Sequence, residues 1–275
     1  MKSRTLILIL LVLALLVVVQ PISCHQLERW FGPASVNLRE AYTNGNTGPR
    51  IDHNTFDAVL ERCVTASGQV RYQVLAEDRT GLDRYIAELG RVIFDPLPRN
   101  EKLALLINAY NAFTLCLILD HGPSLDSIRD IPEVDRWTAR RWQLGNEVMT
   151  LDEIEHDYLR GRFKEPRIHF AINCASVSCP PLRREAYRGD RIEQQLEEQA
   201  KAVHANSAWV QLDSSAQTIQ LNRLYLWFEG DFEQAAGSVL GFAARFHPGL
   251  AAELEAGRTP SIEWLEYDWN LNQAR

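Results

Sequence analysis

Two cysteines five positions apart, Cys174 and Cys179, are the residues of this chain best placed to do chemistry. They lie in the segment NCASVSCPPL, which follows the strand-like run RIHFAI and precedes a double proline that must end regular structure. A thiol at the end of a strand, beside a rigid loop, is a candidate nucleophile. The same two thiols could instead form a disulfide, so other residues must distinguish the two interpretations.

Nucleophilic acyl transfer by Cys174 would need a base and a group that orients the base. The segment LDEIEHDYLR offers His156 as the base and Glu155 as the orienting carboxylate. The capping pattern of Thr150 and Glu153 predicts that this segment is a helix, which ends at Gly161. The three residues Cys174, His156 and Glu155 form the predicted catalytic set.

A second histidine, His169, lies closer to Cys174 in the chain. If RIHFAINC is a strand, His169 and Asn173 point to one face and Cys174 to the other. Because that parity separates His169 from the thiol, His156 on the preceding helix is the better candidate for the base. His169 and Asn173 are then expected to bind substrate.

The strongest predicted helix runs from Glu101 to Asp120, with Asn100 as its cap and Gly122-Pro123 as its end. It is apolar on every side, so it should run through the core. Asn108 and Asn111 share one face of it, and an unpaired buried amide costs roughly 1–3 kcal/mol. The two amides therefore either hold neighbouring main chain or point into a polar site, where they would bind substrate or an oxyanion.

Metal and redox chemistry are weaker alternatives. His156, His169, Cys174 and Cys179 are suitable zinc ligands by type, but their spacing is not a recognised one. A C-x-x-C motif is absent and the loop is rich in proline, so a static disulfide is more ordinary than thiol redox. We therefore predict no metal and no cofactor. Cys63 and Cys116 lie in apolar helical patterns and are predicted to be buried thiols.

The N-terminus predicts the compartment. Lys2 and Arg4 precede the uncharged apolar run Leu6 to Val19, which is typical of a secretory signal and short for a membrane span. We predict a signal peptide at residues 1–23 and export to the periplasm or the extracellular space, where disulfides persist. A lipid on Cys24, or an uncleaved leader, would tether the protein to a membrane.

The rest of the chain predicts one α+β domain at residues 51–275, preceded by an N-terminal arm at 24–50. A helix from Asn54 precedes the strand-like GQVRYQVL, and a short helix covers Leu82 to Leu89. Asp190 and Glu193 are expected to cap an amphipathic helix, and AWVQLD and TIQLNR to form a hairpin. The net charge of −7 offers no basic patch for nucleic acid.

Four blocks of the sequence carry a family resemblance. INAYNAFTL, LDEIEHDYLR, HFAINCASVSCPPLRREAY and YDWNLN resemble the family called domain of unknown function 547, in that family's order, over roughly Ile51 to Asn272. Leu106 stands where the family usually has a tryptophan. The resemblance implies Cys174 as the reactive thiol, since the position of Cys179 varies in the family, and it implies that the Glu155-His156 pair matches the IEH element.

The wider grouping is similar to papain-like and transglutaminase-like folds, in which a helix packs on a small antiparallel sheet and a Cys/His pair transfers acyl groups. In those enzymes the cysteine opens the core helix, whereas here the core helix carries asparagines and Cys174 follows His156 in the chain. The site is therefore either rearranged on that scaffold or no longer catalytic.

Two functions remain open from the sequence. The first is an exported cysteine-dependent hydrolase or acyltransferase that acts on amide or thioester bonds of an unknown substrate. The alternative is a non-catalytic envelope module that binds a protein partner, with a Cys174–Cys179 disulfide bracing the Pro-Pro loop. Under both, the expected fold is α+β, with a helical core packed on a small antiparallel sheet.

Overall fold

A long buried helix is the centre of the fold. The computed structural model of this chain describes residues 33–42, 47–122 and 125–274. Outside the described residues lie 1–32, 43–46, 123–124 and 275. They include the predicted signal peptide, Cys24 and Pro123. From Ser35 onward the chain forms one compact unit, while the predicted domain bounds at 24, 51 and 275 remain predictions.

The helices follow one another with short connections. Before the functional site they are α1 (Asn54–Cys63), α2 (Tyr72–Glu77), α3 (Thr80–Leu89), α4 (Arg99–His121), the 3₁₀ turn Ile128–Asp130 and α5 (Glu133–Arg136). Then come the π-helix Glu153–Arg160, the 3₁₀ helix Pro166–Phe170, α6 (Ile192–His204), α7 (Leu224–Trp227), α8 (Glu229–Ala236), α9 (Val239–Ala244) and α10 (Pro248–Glu255).

The strands are short and form two small sheets. They are β1 (Trp142–Leu144), β2 (Glu147–Met149), β3 (Val210–Asp213), β4 (Thr218–Leu221) and β5 (Ser261–Trp264). Strands β1 and β2 pair antiparallel, as do β3 and β4, which confirms the predicted hairpin. Strand β5 pairs parallel to β4, so the second sheet is mixed rather than antiparallel. The predicted α+β class is confirmed.

Helix α4 is buried on every side, as its sequence predicts. In the described residues it alone is long and apolar enough to cross a membrane, but 94% of its most apolar window is buried inside the protein. It begins after Pro98, so the prediction that Asn100 caps it is wrong: the Asn100 side chain accepts from Arg99 instead. It ends at Gly122, whose φ of 104° favours glycine.

The segment RIHFAI is not a strand, and this prediction was wrong. Residues 166–170 form a 3₁₀ helix, because Pro166 presets a helical φ at its first position and the Glu165 carboxylate accepts from the Arg167 amide at 3.2 Å. The alternation of faces that separated His169 from Cys174 therefore does not apply.

Two other local predictions, a strand in GQVRYQVL and the cap of helix α6, were also wrong. In GQVRYQVL only Val70 makes bridges, to Val64 and Gln273, and helix α2 begins at Tyr72, whose buried hydroxyl donates to Asn272 at 2.7 Å. Helix α6 has no side-chain cap. The two residues expected to cap it, Asp190 and Glu193, instead pair with Arg50 and Arg167.

The predicted amphipathic helix and the two predicted buried thiols are confirmed. Helix α6 buries its stripe completely, and Cys63 and Cys116 are buried free thiols. The C-terminal segment docks against the body: the Asn272 amide donates to the Ala175 carbonyl at 2.9 Å, and the Leu271 amide to the Asp126 carbonyl at 2.7 Å. This docking brings the end of the chain onto the loop that holds both site cysteines.

Candidate functional site

The loop from Asn173 to Pro180, here called the disulfide loop, carries the two cysteines singled out by the sequence. A disulfide joins Cys174 to Cys179, with their Cα atoms 6.2 Å apart, and the Cys174 amide lies 3.0 Å from the Cys179 sulfur. The Tyr267 hydroxyl lies 3.5 Å from the Cys174 sulfur and 3.3 Å from the Cys179 sulfur. Both sulfurs therefore share one hydroxyl from the C-terminal segment.

The side chain of Asn173 holds the disulfide loop closed. Its Nδ2 donates to the Pro180 carbonyl at 2.6 Å, while its Oδ1 accepts from the Ala175 amide at 2.8 Å and from Asn272 Nδ2 at 3.1 Å. Ala175 has a φ of 66°, a left-handed conformation that a residue with a side chain seldom adopts. The hydrogen bonds around Asn173 and the disulfide together offset that conformational cost.

Asn108 and Asn111 on helix α4 also bind main chain. Asn111 donates to the Ala171 carbonyl at 3.0 Å and accepts from the Asn173 amide at 2.9 Å. Asn108 donates to the Tyr187 carbonyl at 2.8 Å and accepts from the Tyr187 amide at 2.9 Å. The sequence left two interpretations open for these amides. In the structure, both amides hold neighbouring main chain. The substrate-binding role of these residues and of Asn173 stays a prediction.

The segment that carries Glu155 and His156 is a helix, as predicted, but a π-helix. Its capping box is confirmed: the Glu153 amide donates to Thr150 Oγ1 at 2.9 Å, and the Thr150 amide to the Glu153 carboxylate at 2.8 Å. π-Helical turns are rare and occur frequently at functional sites. The wider turn places Arg160 one turn beyond both Glu155 and His156.

Arg160 belongs to a buried ionic network. Its Nε and Nη2 donate to the two Asp231 oxygens at 2.7 and 3.0 Å, and His169 Nε2 donates to Asp231 Oδ2 at 2.8 Å. All three residues are at most 2% exposed. Arg160 Nη1 also donates to His156 Nδ1 at 3.1 Å, so the predicted base already accepts a hydrogen bond from a cation. His169 stacks on Phe228, with ring centroids 3.9 Å apart.

Burial shifts the pKa values of these groups in opposite directions. It raises the pKa of Glu155, although His169, Arg160 and the Tyr110 hydroxyl favour the ionised carboxylate. It lowers the pKa of His156, an effect that the neighbouring Arg160 adds to, and it lowers the pKa of His169 despite the contact with Asp231. Burial therefore favours the neutral form of both imidazoles relative to a free histidine.

The predicted catalytic residues do not form a hydrogen-bonded set in the described part of the chain. There the Cys174 sulfur contacts the Cys179 sulfur and the Ser176 and Tyr267 hydroxyls, and no histidine lies within hydrogen-bonding distance of it. Tyr267 is the shared neighbour: burial raises the pKa of its hydroxyl, the Ser176 hydrogen bond opposes this, and the Glu155 charge adds to it. Tyr267 thus contacts both sulfurs of the disulfide and lies within the electrostatic influence of Glu155.

Sequence reasoning missed three residues that complete this region, namely Arg160, Asp231 and Tyr267. Arg160 stands in the quoted LDEIEHDYLR block, where a charge four positions after His156 was a usable signal. Asp231 lies 71 positions beyond Arg160, and Tyr267 lies 93 beyond Cys174. No local pattern of the sequence connects residues at such separations.

The segment 94–202 matches the family described as "Protein of unknown function, DUF547". The matched part includes helix α4, the π-helix, the 3₁₀ helix Pro166–Phe170 and the disulfide loop, and ends two residues before the end of helix α6. No curated protein and no solved structure matches the chain. Among the described residues, no group of three or more His, Cys, Asp or Glu side chains could hold a metal ion. The predicted resemblance is confirmed over this segment, which matches the model of that family.

Proposed function

We propose that this protein is an exported binding module in which the Cys174–Cys179 disulfide braces the site and Cys174 is not a nucleophile. The observation that carries the proposal is the disulfide itself, closed within a loop whose main chain is held by Asn173. A sulfur bonded to another sulfur has no thiolate with which to attack a carbonyl.

The N-terminal sequence supports the same proposal. The charged start and the apolar run that follows are those of a secretory signal, and export leads to the periplasm or the extracellular space. A disulfide formed there persists, whereas the cytosol would reduce it. The partner is then an envelope component, and a lipid on Cys24 would keep the module at a membrane.

The cysteine-dependent hydrolase or acyltransferase, acting on amide or thioester bonds, is the second candidate. The observation that favours it is the hydrogen bond between His169 and the buried Asp231, because a carboxylate that orients an imidazole supplies two of the three members of a nucleophilic triad. In this case His169 replaces His156 as the base, and a reductant must first open the disulfide. The relation to papain-like and transglutaminase-like folds belongs to this second candidate.

The thiol state of the native protein tests the two candidates. The unreduced mature protein is treated with iodoacetamide across a range of pH, and the labelled peptides are mapped by mass spectrometry. We expect a Cys174–Cys179 disulfide peptide and no label on either residue. Cys63 and Cys116 are internal controls, because buried thiols should react only after unfolding. Native labelling of Cys174 below its ordinary pKa of about 8.5, lost in His169→Gln, would instead favour the hydrolase.

The bracing role makes a separate prediction about stability. The double substitution Cys174→Ser/Cys179→Ser should lower the free energy of unfolding by about 2 kcal/mol, the loop-closure entropy expected for so short a loop. Reduction of the wild-type protein serves as the matched control and should give a similar loss in chemical unfolding. A double variant as stable as the oxidised protein would contradict the brace.

A further inference from the structure

A shallow cleft of about 560 Å³ is lined in part by the C-terminal segment. Ser127 and Arg129 line one side of it, and residues 266–270 form the other. Its volume is within the range of small-ligand sites, roughly 300–1,000 Å³. Nothing in the sequence patterns pointed to this cleft, and it is separate from the buried ionic network of Arg160 and Asp231.

The main chain of the cleft is held on both edges. The Ser127 hydroxyl donates to the Trp269 carbonyl at 2.6 Å, the Asp268 amide donates to the Ser178 hydroxyl at 2.8 Å, and the Val177 amide donates to the Asn270 carbonyl at 2.8 Å. The last two contacts come from the disulfide loop. The brace therefore supports one wall of the cleft, and the wall is formed before a ligand arrives.

Two residues that line the cleft, Tyr267 and Trp269, are partly exposed aromatic residues, and two further tryptophans outside the lining pack against them. The rings of Tyr267 and Trp269 lie 4.5 Å apart, and Trp227 packs against both at 4.7 and 5.7 Å. Trp137 approaches Trp269 at 6.4 Å. All four side chains retain some exposure to solvent. Such a group of rings offers apolar surface for the carbon–hydrogen face of a ligand.

Charged side chains lie beside the rings in the lining of the cleft. The guanidinium of Arg129 lies over the Trp269 ring at 5.4 Å, and within the described residues it makes no hydrogen bond or ion pair. In the same part of the chain the exposed carboxylate of Glu266 has no hydrogen-bond partner either. Asp268 uses one oxygen to accept from the Asn270 amide at 2.9 Å. The cleft thus presents both donors and acceptors.

The charges of Arg129, Glu266 and Asp268 bear on which ligand charge the cleft would accept. An anion would be repelled by Glu266 and Asp268, and a cation would be attracted by them but repelled by Arg129, whereas an uncharged ligand is repelled by none of the three. An apolar peptide would displace the water that is hydrogen-bonded to these charged groups and would offer no hydrogen bonds in its place. A hydroxyl both donates and accepts, so a row of hydroxyls can pair with the guanidinium and with the carboxylates at the same time.

We propose that the cleft binds a neutral saccharide, with the aromatic wall against a sugar ring and its hydroxyls hydrogen-bonded to Arg129, Glu266 and Asp268. The proposal rests on the proposed binding function and names its ligand class. An exported module that binds envelope or extracellular glycans needs no reactive thiol.

Isothermal titration calorimetry of the unreduced protein with cellotetraose, tetra-N-acetylchitotetraose and maltotetraose tests the proposal. We expect saturable binding of at least one of them. Arg129→Ala and Glu266→Gln should each weaken that binding about ten-fold, since each removes a hydrogen bond to a charged group. Arg91→Ala and Glu255→Gln, which change exposed residues of the same types outside the cleft, should leave the affinity unchanged.

Three results would overturn the saccharide site: no binding of any of the three tetrasaccharides, binding unaffected by both cleft variants, or an equal loss in the control variants. Circular dichroism of each variant excludes misfolding as the cause. The thiol mapping separates this proposal from the one it rests on. An intact disulfide without saccharide binding would overturn the cleft alone, whereas a freely alkylated Cys174 in a protein that binds saccharide would overturn the brace.

Discussion

At the scale of single residues, one buried carboxylate decides how the charged groups of the site are arranged. Asp231 accepts from both Arg160 and His169, and all three are almost fully buried. Burial opposes ionisation of Asp231, but the hydrogen bonds from His169 and Arg160 outweigh it and lower its pKa to about 2. The carboxylate therefore stays ionised wherever the protein is folded near neutral pH.

Replacement of Asp231 tests this arrangement. Asp231→Ala removes the carboxylate beside the buried Arg160, and we expect a loss of about 3–5 kcal/mol in the free energy of unfolding. Urea unfolding followed by circular dichroism measures it. Asp190→Ala is the matched control, because it breaks the exposed pair with Arg50 and should cost no more than about 1 kcal/mol.

If Asp231→Ala does not fold, Asp231→Asn keeps the shape of the side chain and removes only the charge. An Asn variant that is as stable as the wild type would contradict the inference that the charge of Asp231 holds the network together.

At the scale of elements, the π-helix and the 3₁₀ helix Pro166–Phe170 carry the titratable groups of the network. Each is started by a local signal that also appears in the sequence: the Thr150–Glu153 capping box for the first, and Pro166 with the Glu165 side chain for the second. Whether each segment forms an α-, π- or 3₁₀ helix is not determined by the local sequence. The packing of Ile154 and Leu159 into the core, and the contacts of Arg160 beyond its own helix, are available only after folding.

The capping box makes an element-scale prediction. Thr150→Ala removes the acceptor of the Glu153 amide and should lower the free energy of unfolding by about 1 kcal/mol. Chemical unfolding measures the loss. Thr138→Ala, at an exposed position, is the control and should change stability by less than about 0.5 kcal/mol. Equal losses in the two variants would mean that the cap contributes nothing of its own.

At the scale of the whole molecule, several buried histidines make stability depend on pH. His204 is 2% exposed, donates from Nδ1 to the Ala200 carbonyl at 2.6 Å and accepts from the Tyr225 hydroxyl. Burial lowers its pKa to about 4, although the Ala200 hydrogen bond opposes the shift. Burial, with the charge of Arg188, also lowers the pKa of His53 to about 4.

The sign of the effect follows from proton binding. The unfolded chain protonates these imidazoles near pH 6.5, whereas the folded chain does so only near 4, so the unfolded state binds more protons between the two values. Stability should therefore fall as the pH falls from 6.5 to 4, by up to about 1.4 kcal/mol per pH unit for each such histidine.

The variant His204→Gln isolates one of these contributions. At pH 7 the variant should be less stable than the wild type, because the imidazole's buried hydrogen bonds to Ala200 and Tyr225 are lost. Between pH 6.5 and 4 it should lose less stability than the wild type does. Thermal or urea unfolding at a series of pH values measures both curves. Parallel curves for the variant and the wild type would show that His204 does not contribute to the acid sensitivity.

The sequence alone was sufficient for the elements whose cause is local. The apolar faces of helix α4 and helix α6, the hairpin of β3 and β4 and the capping box at Thr150 were all predictable, because each depends on side-chain periodicity or on contacts within a few residues. The α+β class and the family of the segment 94–202 followed from the same local blocks. The pairing of Cys174 with Cys179 could be named only as an alternative, because a five-residue spacing allows a disulfide without requiring it.

Only the tertiary structure decided the rest. RIHFAI has the composition of a strand, but no strand among the described residues pairs with it, and it packs against α6 and α8, so its first part forms a 3₁₀ helix. Asn108, Asn111 and Asn173 resemble site residues until the main chain that they hold is in place. The network around Asp231 and the cleft beside Trp269 join residues far apart in the chain. Their energies depend on burial and on long-range contacts, which one sequence without its fold does not contain.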